Sequence, residues 1–208
     1  MSFRWSAEAD MPADLYLTPE ESAKLRKVRI GVAGAGGLGS NLMTHLVRSG
    51  VTHFTAADYD RIAESNLNRQ FFFRDQIGRY KTEALAENLL RIEPKLDLDF
   101  HPVRVTAENV LPLFGGCDIL AEALDDPEAK SMLAEQWFST GKPLIAVSGI
   151  AGWGNSGAMK VRKIGKCCYL CGDLKSDISH DAPHSPRVGI AAALQANTIM
   201  ALLLGKEI

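Results

Sequence analysis

The chain has 208 residues, 46% of them hydrophobic and 23% charged, a globular composition with enough apolar material for one sizeable core. The net charge of −2 provides no basic field for nucleic acid or an anionic membrane surface. No uninterrupted run of about 18 apolar residues appears, and the opening MSFRWSAEAD lacks a signal-peptide core, so the expected location is the cytoplasm.

The predicted elements follow in chain order. Residues 1–17 read as irregular. Thr18 caps a helix that has Pro19 in its first turn and Glu21 three residues after the cap, and that runs to about Arg26. Val28 to Ala33 is a buried strand, broken by GAGGLGS. NLMTHLVRSG is a helix ended by Gly50, and residues 51–58 form a second strand ending at Asp58. After the loop DYDRIAESNLNRQFFF, Leu85, Leu89 and Ile92 share one face of a helix that Pro94 terminates. LDLDFHPV alternates as a half-buried strand, CDILAEAL is a short apolar strand, and residues 127–141 form a helix. PLIAVSG is the next strand, AMKVRKIGKCCYL a hairpin turning near Gly165, residues 172–187 a polar loop, and residues 187–205 a final apolar helix. Strands alternating with helices predict an α/β, Rossmann-like, mostly parallel sheet with flanking helices and an added hairpin near the C-terminus. The chain is expected to be a single domain over 1–208. Residues 1–27 form an extension and helix, 28–150 a nucleotide-binding core, and 151–208 the hairpin, loop and last helix.

Gly34, Gly36 and Gly39 spell G-x-G-x-x-G between a strand and a helix, with Gly37 beside them. Such a turn lets phosphate approach the backbone and the helix N-terminus. Asp58, at the end of the next strand, suits ribose hydroxyls. The bland alternative is a tight structural turn, and the motif alone does not separate NAD, FAD, SAM and ATP. Arg69 and Lys81 add cations beyond what a dinucleotide needs, as a departing pyrophosphate would require. The alternative for both is a solvated surface charge. Asn66 can hydrogen-bond phosphate or ribose. Asp125 and Asp126 end a strand, with Asp126 suited to capping the following helix and Asp125 to binding magnesium. Glu122, inside the same apolar strand, has no assigned role.

GAGGLGSN, DYDRIAESNLNRQ, GRYKTEA and EALDD together resemble the ubiquitin-activating enzyme superfamily, in its bacterial ThiF, MoeB and HesA branch of sulfur-carrier adenylyltransferases. The resemblance covers roughly residues 18–205. It implies ATP held by the glycine loop, Asp58, Asp60 and Gln70, phosphates bound by Asn66, Arg69 and Lys81, and magnesium on Asp125. SGIAGWGNSGAMKVRK and YLCGD resemble a compact ThiF, which implies adenylation of a small ubiquitin-like carrier ending in Gly-Gly, within thiazole formation for thiamine. It further implies a sulfur donor protein and a homodimer. Some relatives lend an N-terminal arginine to the partner's site; Arg4 stands where such a residue would be sought. The rivals are an NAD-dependent oxidoreductase and an activating enzyme for another carrier, such as that of molybdopterin synthesis. Neither nucleic acid nor membrane is expected as a partner.

Full-length relatives hold structural zinc on two Cys-x-x-Cys pairs, and here only Cys168 and Cys171 supply one. His180 and His184 would complete C-x2-C-x8-H-x3-H. The missing second pair leads to the expectation of little zinc. Cys171, placed by the sequence at the loop, is the candidate for a covalent link to the carrier, against the default of an inert thiol. Residues 172–187 are expected to receive the carrier's tail, and Arg187, just before the last helix, to meet a carboxylate.

Overall fold

A computed structural model describes residues 15–177 and 179–208; the Arg4 expectation lies outside them. The helix α1 (Pro19–Leu25) is fastened by the expected capping box, in which Glu21 N donates to Thr18 Oγ1 at 3.2 Å and Thr18 N to Glu21 Oε2 at 3.0 Å. The strand β1 (Arg29–Ala33) leads into α2 (Gly37–Arg48), and β2 (His53–Ala57) leads through two short 3₁₀ turns into α3 (Lys81–Leu90). Then come β3 (Asp97–His101), α4 (Val110–Phe114), β4 (Ile119–Glu122), α5 (Pro127–Phe138), β5 (Leu144–Val147), β6 (Lys160–Ile164), β7 (Cys168–Gly172) and α6 (Ser185–Leu204).

Among the described residues the strands form one seven-stranded sheet in the order β3-β2-β1-β4-β5-β7-β6. All pairings are parallel except β6 with β7, the expected hairpin. Adjacent residues of a strand face opposite layers. Thus Ile30, Val32, Phe54, Ala56, Ile119, Ala121, Ile145, Val147, Tyr169 and Cys171 build the core under α2, α3 and α6, while Leu120, Leu144 and Cys168 join the smaller core under α4 and α5. At one sheet edge, β3 alternates between exposed and half-buried positions as a one-sided strand should.

Two boundaries and one helix that bear on the site differ from the sequence reading. The helix α2 begins at Gly37 rather than Asn41, because the glycines of the loop already take up its first turn. The polar loop ends at His184, so Arg187 lies inside the first turn of α6. The helix α4 was not expected; it is a five-residue helix carrying Pro112 and too short to show a period. By length and composition α6 would span a bilayer, but half of it is buried inside the fold, where it packs on α2.

Candidate functional site

The strand order reverses between β1 and β4: β1 continues to β2 and β3 on one side and to β4 and β5 on the other. Ligands of open α/β sheets bind beyond the carboxyl ends of the strands at such a point. A cavity of about 630 Å³ opens there, within the range of small-molecule sites. It is lined by Gly34, Gly36, Gly37, Asp58, Asp60, Arg69, Gln70, Lys81 and Asp125. The expected convergence of the glycine loop, Asp58 and Asp125 on one crevice is therefore present.

The glycines divide their work. Gly34 has φ +102°, and a Cβ there would lie 2.6 Å from the Ala123 carbonyl oxygen. Gly39 does not line the cavity; a Cβ on it would come within 1.9 Å of the Gly34 carbonyl oxygen, so it lets α2 close onto the loop. Gly36 caps α2 with no side chain. A Cβ on it would meet no protein atom nearer than Gln70 Nε2 at 3.6 Å, so the open face belongs to the cavity rather than to packing. The backbone N–H groups of the first turn of α2 thus face the cavity mouth with the positive end of the helix dipole behind them.

Asp58 ties the loop down. Its Oδ2 accepts from Ala35 N at 2.7 Å and its Oδ1 from Asp60 N at 2.8 Å. Burial pushes its carboxyl above the usual range, against the pull of the Lys81 ammonium and these two hydrogen bonds. Lys81 is buried, and its Nζ meets Asp60 Oδ2 at 2.6 Å. Asp60 is half exposed, so this pair presents a cation and an anion together at the wall. Among the described residues the Arg69 guanidinium donates only to neighbours on its own turn, Asn68 Oδ1 at 2.7 Å and Ser65 O at 3.3 Å. Gln70 is buried, and its Oε1 has no hydrogen-bond partner among the described residues. A buried, unpaired amide on a cavity wall is what a polar ligand leaves behind.

Asn66 is not brought to the cavity. Its Oδ1 accepts from Ala63 N at 3.0 Å and closes a 3₁₀ turn. Asp126 is the helix cap, with its carboxylate accepting from Ala129 N at 3.0 Å. Its neighbour Asp125 is exposed, lines the cavity and makes no hydrogen bond to any described residue.

The zinc spacing does not survive folding. Cys168 and Cys171 lie on β7 three residues apart, hence on opposite faces of the sheet and in different cores. His184 precedes α6 and stacks on Trp153, with ring centroids 3.7 Å apart. Among the described residues no cluster of three or more candidate ligands forms. Cys171 is in a strand rather than the loop. It is fully buried, and burial pushes its thiol up to about 12, outweighing a hydrogen bond with Thr198, so as placed it is no nucleophile. Arg187 does meet a carboxylate, but an internal one: its guanidinium pairs with Asp173 at the end of β7 and donates to Gly154 O at 2.8 Å.

The sequence reading missed Lys130. It lines the cavity from α5 and pairs with Glu122, both Nζ–Oε distances being 3.0 Å. An acid inside an apolar strand was the available signal, since a buried carboxylate needs a cation or a proton.

The ThiF family model matches residues 12–208. The chain belongs to the ThiF family. Among curated relatives, this ThiF-family chain is 27% identical over 183 residues to the adenylyltransferase and sulfurtransferase UBA4 of Eremothecium gossypii, covering 88% of the chain and 39% of the relative. It is 31% identical over 149 residues to UBA4 of Candida glabrata, covering 71% and 34%. The chain thus spans between a third and two fifths of these relatives' length. Among solved structures, the E. coli tRNA N6-threonylcarbamoyladenosine dehydratase TcdA, in complex with ATP, superposes with a TM-score of 0.84 at 20% identity, covering 93% of this chain and 92% of TcdA. E. coli MccB with ATP follows at 0.70 and 24%, covering 88% and 57%. At these identities the likeness establishes the fold: the ThiF-family sheet with its added hairpin.

Proposed function

We propose that this ThiF-family chain uses ATP to adenylate the C-terminal glycine carboxylate of a small ubiquitin-like sulfur carrier, readying it for a sulfur donor. The observation that carries the reading is the composition of one cavity wall. The glycine loop, two cations at Arg69 and Lys81, and an uncommitted carboxylate at Asp125 share it. A nucleotide enzyme of any kind uses the loop; charge placed for a leaving pyrophosphate marks nucleotidyl transfer. The name of the curated relatives supports it, and nothing in the cavity or the family match favours the rival oxidoreductase.

In this reading the N-terminus of α2 holds phosphate, Asp58 adds ribose hydroxyls to its hold on the loop, and Gln70 contributes its free amide oxygen. The carrier's carboxylate oxygen attacks the α-phosphorus, the bond to pyrophosphate breaks, and a mixed acyl-phosphate anhydride with AMP remains. Arg69 and Lys81 take up the charge of the pyrophosphate as it leaves. The substrate brings its own nucleophile, so the chain supplies positioning and charge. Asp125 suits magnesium: a single exposed carboxylate beside a phosphate site is the donor set of an ion that keeps its waters and shares phosphate oxygens. Bound there, magnesium would draw negative charge from the phosphates.

The finer reading is a ThiS-like carrier in thiazole formation, with a homodimer as the working form. The name of TcdA points to a tRNA nucleoside, and MccB is seen in complex with MccA, so the test must separate a carrier from other substrates. ATP–pyrophosphate exchange is measured with a Gly-Gly-ended carrier, the same carrier lacking its last glycine, unfractionated tRNA, and no substrate. Exchange is expected with the intact carrier alone. Arg69→Ala and Lys81→Ala are each expected to slow it by about 10²–10³. Exchange driven by tRNA, or brisk exchange with nothing added, overturns the proposal.

A further inference from the structure

The strands β4 and β5 part early. Their parallel ladder covers only Leu120 with Leu144 and Ala121 with Ile145, whereas β1 and β4 stay paired as far as Ala33 with Glu122. Beyond Ile145 the tips diverge, and the cavity opens between them. Ala123, Leu124 and Asp125 form one lip, and Ser148, Gly149 and Ile150 the other. Val147 directs its N–H and carbonyl toward β4, where the next rung would form, and side chains take the place of that rung. Glu122 Oε2 accepts from Val147 N at 3.4 Å, and Lys130 Nζ donates to Val147 O at 3.1 Å. Lys130 also donates to both Glu122 carboxylate oxygens, and Glu122 Oε1 accepts from Leu124 N at 2.7 Å, setting the turn that leads to Asp125. From the opposite layer, Gln195 Nε2 bridges the same gap, donating to Glu122 O at 2.9 Å and Ile145 O at 3.0 Å.

A buried ion pair is a poor way to gain stability, since apolar residues of like volume usually do as well. A pair that replaces a ladder rung at the mouth of a cavity does something an apolar pair does not: it fixes a distance. We propose that Glu122 and Lys130 are positioning residues, a side-chain rung that sets the separation of the β4 and β5 tips. This rung holds Asp125 and the Ser148–Ile150 lip at the spacing a nucleotide requires. The inference rests on the nucleotide reading of the cavity, and it assigns neither residue a contact with the reacting atoms.

The test compares the parent with Glu122→Met/Lys130→Met and with Lys130→Arg. Three quantities are measured: hydrogen exchange at the Leu124 and Val147 amides without ligand, ATP affinity by calorimetry, and Tm. The methionine pair should fold with a Tm near the parent's. It should exchange faster at those two amides and bind ATP about 10–100-fold more weakly, the usual cost of losing an outer support. Lys130→Arg, which can still bridge Glu122 and Val147 O, should restore protection at both amides. A folded methionine pair with parental protection and parental ATP affinity overturns the proposal. So does a lowered Tm with unchanged ATP affinity, which would mean the pair serves stability alone. If the methionine pair does not fold, Glu122→Gln carries the same comparison, because it is isosteric and Lys130 can still reach water. A parent that fails to bind ATP refutes the nucleotide reading, while the exchange data still decide whether the rung exists.

Discussion

Two regions of the molecule, the cavity wall and the ground between β7 and α6, treat their polar groups differently. Around the glycine loop and the tip of β4, several polar groups are left without strong partners. Gln70 Oε1 has none, Asp125 bonds to nothing described, and Arg69 reaches only its own turn. Around β7 and the start of α6, the groups are engaged with one another. Arg187 pairs with Asp173 and bonds Gly154 and Met159 through its terminal nitrogens, leaving its Nε without a partner among the described residues; burial holds Cys171 inert, and His184 is stacked on Trp153. A charged residue type near a cleft is therefore weak evidence of a ligand; a charged residue whose bonds the protein has not filled is better evidence. By that criterion Arg69 and Asp125 support the proposed adenylation, while the guanidinium of Arg187, which the sequence offered as a carboxylate receptor, is taken up by the internal carboxylate of Asp173.

The contrast can be broken at its strongest points. Arg187→Met takes the guanidinium from Asp173, which keeps its bonds from Lys175 and Ser176, and should cost about 3 kcal/mol of stability, read from urea unfolding at neutral pH. The cost should depend on pH. Burial raises the Asp173 carboxyl, but hydrogen bonds from Ser176, Lys175 and Arg187 outweigh it and hold it below the usual range. A carboxyl that titrates lower when folded contributes above its unfolded pKa and loses that contribution as pH falls through the folded value. The gap between parent and Arg187→Met should accordingly shrink below about pH 4. A gap that stays constant into acid would remove Asp173 from the account.

Neighbouring aspartates sharpen the contrast next. Asp125→Ala should leave Tm unchanged, since no protein hydrogen bond is lost, while pyrophosphate exchange falls by about 10²–10³. Asp126→Ala removes the cap of α5 and should cost about 1 kcal/mol in unfolding. A large stability loss at Asp125 would show that its carboxylate is structural after all. The smallest effect concerns the cysteines. At pH 8, iodoacetamide should modify half-exposed Cys167 in the native protein and leave Cys171 untouched, as mass mapping of the peptides would show. Rapid native labelling of Cys171 would reopen it as an acceptor.

Much of this was legible from local pattern. Thr18 with Glu21, and Asp126 before Pro127, declare helix starts because a cap is a contact between near neighbours in sequence. The glycine loop and Asp58 are legible because strand, turn and helix follow one another directly. What sequence reading could not supply were partnerships formed across the fold. Glu122 looked anomalous until Lys130 came from α5 and Val147 from the next strand. Arg187 needed Asp173, fourteen positions away across a loop. The cysteine and histidine spacing leaves a zinc site open as an alternative, although the missing second pair argues against it, because spacing does not show on which side of a strand a residue falls. Cys168 and Cys171 lie on opposite faces of β7, and one zinc ion cannot collect both as they stand.

The position of α6 in the chain has a consequence for synthesis. It follows every strand of the sheet, yet it packs on α2, which comes before all but one of them, covers one layer of the sheet and sends Gln195 to the gap between β4 and β5. Until residues 185–204 have left the ribosome, the apolar surfaces of α2 and the central strands have no cover. Closing them requires contacts between residues more than a hundred positions apart, the slow kind of contact in folding. The nascent chain therefore carries an exposed hydrophobic face until α6 has emerged, a natural substrate for ribosome-bound chaperones.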